Sequence, residues 1–478
     1  MGFWNRSAEK APRKTKEVIR SREIWEKDNL PVLRDYIRIP NVSQDFEENW
    51  QEPMNKAVEL LVSYIEDQKS HINGLSYEIV RLPGKAPLIF ITAEGTAPEK
   101  VLMYGHMDKQ PAGGEWRDGL DPWTPIQEGN KLYGRGGADD GYALFSALTS
   151  LRMLDEQGID RPTTQIIIEG AEESGSVGLL DYLEVLGDRI HEPDLIVCLD
   201  SETKDYGRLW DTTSLRGLVN FTLEIETGGS AHSGKVGGMT RDAFLASMQL
   251  LFNRIVDPDT QAVLLPELQT DISEERIAEA KAIAELLGPR VWEEYNLTGD
   301  PLNDDPVEAL LNTTWRPSLA TVGTSLPPVD KAGNVLHGKV SIKVSVRIPP
   351  GVDPLKAAQA LEKALTTNPP HKSKVTFTLG QTAEGWIAPP QSNGLKASIQ
   401  EASKKHMGGE AMTQGTGGSI PFMNALSQKF PRSQFLVTGV LGPESNAHAL
   451  DESLDTEYVV GLTAALTHIL ADSGKWHE

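Results

Sequence analysis

The sequence predicts an α/β fold: a mostly parallel-sheet domain interrupted by a smaller α+β module of ferredoxin-like pattern. Two changes of hydrophobic period carry that reading. Between about Ser76 and Asp200, short apolar runs alternate with helical patterns, as in a parallel sheet buried on both faces. Further on, Phe221, Leu223 and Ile225 alternate with Thr222, Glu224 and Glu226. Val340, Ile342, Val344, Val346 and Ile348 alternate likewise with Ser341, Lys343, Ser345 and Arg347. Such period-2 strands pack one face on a core and leave the other half-exposed. At 478 residues the chain also exceeds what one core usually supports.

Taken in order, the pattern is helical over about 18–68. Val101-Leu102-Met103-Tyr104-Gly105 then runs into His106-Met107-Asp108. After Asp139-Asp140-Gly141, the residues Leu144, Ala147, Leu148, Leu151 and Leu154 fall on one helix face, closed by Gly158. Gln165-Ile166-Ile167-Ile168 runs into Glu169-Gly170-Ala171-Glu172-Glu173, and Leu195-Ile196-Val197-Cys198-Leu199 runs into Asp200. Helical patterns over 241–255 and 354–365 follow the two alternating strands, and Val375, Phe377 and Leu379 supply a closing one. The result is strand–helix–strand–strand–helix–strand. Residues 258–316 form an acidic, largely helical stretch within it. After Trp386 the α/β pattern resumes, with a helix from about Ser392 and a strand over 434–440. The expected boundaries are 1–213 and 385–478 for the first domain, and 214–384 for the module.

A net charge of −22, from 46 basic and 68 acidic residues, argues against a nucleic-acid or anionic-membrane partner, which would require a basic face. The lone cysteine, Cys198, forms no internal disulfide and supports no cysteine-based zinc site. A reducing compartment, the cytoplasm, is expected. The basic N-terminus (Arg6, Lys10, Arg13, Lys14, Lys16, Arg20) lacks the apolar run of a secretory signal and carries Glu9 and Glu17. No run approaches the ~20 apolar residues of a membrane helix.

In open α/β sheets, ligands bind beyond the carboxyl ends of strands. Three apolar runs here end in carboxylates or histidine, which points to a metal-dependent hydrolase. Tyr133-Gly134-Arg135-Gly136-Gly137-Ala138-Asp139-Asp140 delivers paired carboxylates on a glycine turn, and Glu172-Glu173 is a second pair. One member of such a pair can ligate a metal while the other takes a proton from the attacking water. His106 lies two residues before Asp108, which is placed to orient its ring. His448 sits in a loop after an apolar strand, and His232 follows the first strand of the module. His71, His191, His371, His406, His468 and His477 read as surface residues. Gly229-x4-Gly234-Lys235 mimics a phosphate-binding loop, but Val236 replaces the Ser or Thr that magnesium needs. Neither a Gly-x-Ser-x-Gly elbow nor a His-Glu-x-x-His helix is present.

Together, Gly105-His106-Met107-Asp108, Gly134-Arg135-Gly136 with Asp139, Glu172-Glu173, Asp200, His232-Ser233-Gly234, Gly417-Gly418-Ser419-Ile420-Pro421 and His448 resemble the M20 metallopeptidases. Their wording is closest to the cytosolic non-specific dipeptidase and carnosinase branch. The resemblance implies a catalytic domain holding two divalent metals, zinc or manganese. His106, Asp139 and Asp200 would hold one, and Asp139, Glu173 and His448 the other, with Asp139 bridging. It implies Glu172 as general base and Asp108 as orienter of His106. The module becomes a lid and dimerisation domain, with His232 and Asn334 reaching the site of a neighbouring subunit in a homodimer. Arg347, Gly418 and Ser419 would bind the carboxylate end of a small peptide. Gly141-Tyr142 departs from the usual Lys-Gly of relatives, next to the ligand turn. Two other readings stay open: an N-acyl-amino-acid deacylase of the same family, and a binding protein on a retained peptidase scaffold.

Overall fold

The computed structural model describes residues 14–293 and 297–478. The basic N-terminal residues up to Arg13 lie outside them. The chain forms two compact units. One comprises the residues up to Thr213 with Ala388–Thr413 and Ala425–Glu478, and the other comprises Ser214–Ile387 with Gln414–Asn424.

The first unit is built on a six-stranded sheet. Strands β1 (Leu75–Val80) and β2 (Leu88–Ala93) form an antiparallel pair, followed by β3 (Ala97–His106), β4 (Pro162–Glu169) and β5 (Leu195–Cys198). β4 is buried along its whole length, which explains its unbroken apolar run. The helical pattern expected over 18–68 is three helical stretches, Lys16–Ile24, Leu30–Ile37 and Gln51–Gln68, separated after Ile37 by a loop containing Pro40. Helix Tyr142–Glu156 is buried from Tyr142 to Leu154 on every face, not on one. Its polar residues are satisfied internally: Ser146 Oγ lies 2.9 Å from Thr463 Oγ1, and Thr149 Oγ1 accepts from Asn29 Nδ2 at 2.9 Å.

The second unit holds β6 (Gly217–Glu226), β7 (Ser318–Thr324), β8 (Lys339–Ile348) and β9 (Lys374–Ala383). Their spatial order is β7-β8-β6-β9, and every pairing is antiparallel. Helices Ala243–Arg254 and Pro354–Thr366 cover one face. Ala246, Leu250, Leu361 and Leu365 pack there with Phe221, Leu223, Ile342 and Val344. Both helices start on aspartate caps, Asp242 and Asp353, whose side chains accept first-turn N–H groups. The acidic stretch contributes helices Glu274–Leu287, Arg290–Glu293 and Pro306–Thr314.

The chain then returns to the first unit. Strand β10 (Gln434–Val437) pairs in parallel with β5, completing the order β1-β2-β4-β3-β5-β10. β3, β4, β5 and β10 run in parallel, so their carboxyl ends open on one edge. Among the described residues, no helix is long and apolar enough to cross a membrane.

Candidate metal centre

Four neighbouring strand ends deliver the chemistry. β3 ends on His106, in register with Glu169 at the end of β4. Glu172 and Glu173 follow in a short helical turn, Asp200 lies two residues past β5, and His448 sits in the loop after β10. β3 crosses close beneath the start of helix Tyr142–Glu156. A Cβ on Gly105 would lie 2.6 Å from the Cβ of Ala143 and 2.7 Å from Asp140 Oδ2, so only glycine fits. Asp140 Oδ2 accepts the backbone N–H of His106 at 3.1 Å and fixes the strand end.

Asp139 stands at the centre. Its Oδ1 is 3.2 Å from His106 Nε2, and its Oδ2 is 3.1 Å from His448 Nε2. Asp200 Oδ1 lies 3.9 Å from His106 Nε2, and Glu173 Oε2 lies 3.1 Å from His448 Nε2. Two groups of potential ligand atoms result, each within 4.8 Å of one another: His106, Asp139 and Asp200, and Asp139, Glu173 and His448. The shared residue turns a different oxygen to each group. A third trio, Glu401, His468 and Asp472, meets the same distance, but Lys475 Nζ already occupies Asp472 Oδ1 at 2.7 Å.

The donor set fits hard or borderline divalent cations: imidazole nitrogens and carboxylate oxygens, without thiolate. Glu173 Oε1 is buried without a hydrogen-bond partner, as expected of an oxygen reserved for a cation. Burial pushes Glu172, Glu173 and Asp200 above the usual carboxylate range, and neighbouring carboxylates add to the shift. Burial opposes the charge on both histidines, yet hydrogen bonds to carboxylates outweigh it. His106 rises well above its ordinary value through Asp108 and Asp139, and His448 rises to about 11 through Asp139 and Glu173. Asp139 moves the opposite way, held down by the same two rings against its own burial.

Asp108 touches more than the His106 ring. His106 Nδ1 lies 3.2 Å from the backbone oxygen of Asp108 and 3.4 Å from its Oδ1. The same carboxylate accepts the backbone N–H groups of Glu172 and Glu173 at 3.1 and 3.0 Å. It thus ties the end of β3 to the turn bearing the carboxylate pair. Glu169 supports that turn from below, accepting from Tyr104 Oη at 2.5 Å and Ser176 Oγ at 2.7 Å. Nothing in the sequence separates Glu169 from an ordinary strand-end acid.

In the second unit, His232 pairs with Val335 on a two-residue ladder, and the backbone oxygen of Asn334 accepts from Ser233 N at 3.0 Å. The structure therefore brings the His232 and Asn334 segments side by side. The would-be phosphate loop is this ladder and a single turn, Ser233–Val236, following it. Arg347 donates from Nη1 to Ser419 Oγ at 2.9 Å, placing the guanidinium on the Gly418–Ser419 segment. Arg216 joins this segment to the acidic stretch, donating from Nε to the Gly417 oxygen at 3.3 Å and from Nη1 to the Asn312 oxygen at 3.4 Å.

One assignment is corrected. His406 is not a surface residue: it is fully buried, 3.0 Å from Thr15 Oγ1 and 3.2 Å from His468 Nδ1. Its basic neighbours Lys404 and Lys405 hid a ring that faces inward.

Residues 102–472 match the family model described as Peptidase family M20/M25/M40. The Cysteinylglycine-S-conjugate dipeptidase of Corynebacterium striatum is 27% identical over 397 residues, covering 80% of this chain and 82% of the relative. The Beta-Ala-His dipeptidase of Homo sapiens is 29% identical over 404 residues, covering 78% and 75%. Among solved structures, the di-peptidase Dug1p from Saccharomyces cerevisiae superposes with a TM-score of 0.80 at 23% identity. It covers 97% of this chain and 99% of its own.

Proposed function

The chain belongs to the peptidase family M20/M25/M40, and from that premise we propose that it is a two-metal hydrolase of dipeptides or short peptides bearing a free C-terminal carboxylate. One observation carries this reading: Asp139 directs Oδ1 to one potential ligand group and Oδ2 to the other. The relatives in Corynebacterium striatum and Homo sapiens, both dipeptidases by name, support the substrate class. Zinc or manganese suits the nitrogen and oxygen donors.

When bound, the cations supply Lewis acidity to the scissile carbonyl and to the attacking water. Glu172 takes the proton of that water and passes it to the leaving amine. Its raised basicity, caused by burial and by Glu173 and Glu169, suits that task. Asp108 holds Glu172 in place through the Glu172 N–H. Arg347, with Gly418 and Ser419, receives the substrate carboxylate in the planar fork geometry that guanidinium offers. His232 donates to the developing oxyanion and Asn334 assists it, both supplied by the neighbouring subunit of a homodimer. The cytoplasm suits a chain whose Cys198 is a buried free thiol.

The deciding experiment is a hydrolysis panel of Xaa–Gly dipeptides, β-alanyl-histidine, and N-acetyl and N-succinyl amino acids, on wild type and Glu172→Gln. Dipeptide turnover should fall ~10²–10⁴-fold in the variant while bound metal is retained. Turnover confined to N-acyl amino acids selects the deacylase reading. A metal-loaded protein without turnover selects the binding-protein reading. Glu172→Gln activity within about tenfold of wild type removes Glu172 as the base.

A further inference from the structure

Beneath the candidate metal centre lies a buried ionic clamp that the chemistry above does not use. Glu452, four residues past His448, is fully buried. Its Oε1 accepts three backbone N–H groups of the glycine turn: Gly136 at 3.0 Å, and Ala138 and Asp139 at 3.2 Å each. Its Oε2 accepts from Arg135 Nη1 at 2.8 Å, and Arg135 Nη2 donates to the Ala449 oxygen at 2.6 Å. Gly134 N closes the assembly on the Glu452 oxygen at 3.0 Å. The side chain of Lys109 packs against the turn from the other side. A Cβ on Gly136, where φ is +80°, would lie 2.5 Å from Lys109 Cε.

One carboxylate therefore grips the backbone of Asp139 directly and, through Arg135, the backbone next to His448. Both belong to the Asp139–Glu173–His448 group, whereas the His106–Asp139–Asp200 group shares Asp139 but not His448. His106, by contrast, ends β3 in register with Glu169, and Asp200 lies two residues past β5; among the described residues, Glu452 bonds neither segment. A buried ion pair is often no more stabilising than apolar residues of the same volume. Three N–H groups converging on one oxygen instead fix a backbone that must present a ligand. We propose that Glu452 is a positioning residue that places Asp139 for both groups and, through Arg135, His448 for one, and so sets the cation affinity of the Asp139–Glu173–His448 site over its neighbour.

The inference rests on the reading that these groups bind metal, and the test separates the two. Metal-free wild type, Glu452→Gln and Arg135→Lys are titrated with Zn²⁺ against a competing chelator, and with Co²⁺ as an optical probe. The glutamine still accepts the turn's N–H groups but turns an amide towards Arg135, releasing the Ala449–His448 backbone. The lysine keeps a charge opposite Glu452 but cannot reach Glu452 and Ala449 together. Each variant should retain one tight site and weaken the other about 10–100-fold, the usual effect of outer-shell partners. Wild-type affinity at both sites, or equal weakening of both, overturns the proposal. So does failure of both variants to fold, by circular dichroism of the metal-free proteins, since the pair would then serve the fold. Wild-type protein that binds no Zn²⁺ overturns the metal reading, and this inference with it.

Discussion

Replacing Arg347 by methionine separates substrate recognition from stability, because the structure predicts that the two move apart. Arg347 stands on β8 opposite Ser318 and donates to Ser419 Oγ. Burial alone pulls its pKa below the ordinary guanidinium value, and among the described residues no carboxylate pairs with it. A partly buried guanidinium without a counter-ion is held at a cost that, on the proposed role of Arg347, a substrate carboxylate recovers on binding. Hydrogen bonds to charged groups contribute about 1.5–3 kcal/mol. At about 1.4 kcal/mol per decade, Arg347→Met should lower kcat/KM for a free-acid dipeptide about 10–150-fold. The same dipeptide capped as its C-terminal amide should be turned over equally by both proteins. Arg347→Lys should fall between, since a point charge cannot replace the fork. Denaturant unfolding of the metal-free protein should show stability unchanged or raised by about 1 kcal/mol, because an unpaired charge has been removed from a poorly solvated position. Equal loss on acid and amide substrates would refute the argument. A stability loss of about 1 kcal/mol or more would show instead that Arg347 braces Ser419.

Two further predictions test burial and assembly. Burial pushes His406 down to about 4, below the roughly 6.5 expected of the unfolded chain, so the unfolded state protonates first as pH falls. Stability should therefore drop between about pH 6.5 and 4, by up to about 3 kcal/mol, and His406→Asn should flatten that limb in urea titrations; an unchanged slope in the variant counts against this assignment. His232→Ala and Glu172→Gln should each be nearly inactive, the first by ~10²–10³-fold. Subunit exchange between them should restore activity through dimers with one intact site, and verified exchange without recovery rules out a shared site.

The catalytic sheet was legible where burial and chemistry coincide. The runs ending at His106, Glu169 and Cys198 are apolar because β3, β4 and β5 are buried, and their polar continuations mark the open edge. The module was legible for a related reason, since β6 and β8 alternate with a clean period of two. Strand β7 escaped because it is largely exposed and bulged between Thr321 and Gly323, which erases the alternation. The extent of helix Tyr142–Glu156 burial escaped because Ser146, Thr149 and Ser150 interrupt the apolar pattern on the faces away from Leu144, Ala147, Leu148, Leu151 and Leu154. They are polar groups satisfied inside: Ser150 Oγ donates to the Ala147 oxygen at 2.7 Å. Glu452 escaped because one acid in a polar loop has no signature. A faint signal existed in Arg135, a lone cation within a glycine turn, which needs a buried counter-ion once the turn packs inward.

The acidity of the chain acquires a local meaning at this site. Asp139, Asp140, Glu172, Glu173 and Asp200 converge with two histidines, and burial raises Asp140, Glu172, Glu173 and Asp200 together. Gathering like charges away from water is unfavourable unless positive charge joins them. Within the site, the carboxylates that His106 and His448 touch draw both rings towards the protonated form. A cation needs the same lone pairs, so protons and metal compete for Asp139, Glu173 and both rings, and binding must release protons. Metal affinity should accordingly strengthen as pH rises beyond the ordinary histidine range, towards the value of about 11 that His448 reaches. The anchors Asp108 and Glu452 hold the ligand-bearing backbones through N–H groups, and Asp108 also lies against the His106 ring. Separating what holds the ligands from what they hold is how this fold confines so much negative charge without scattering it.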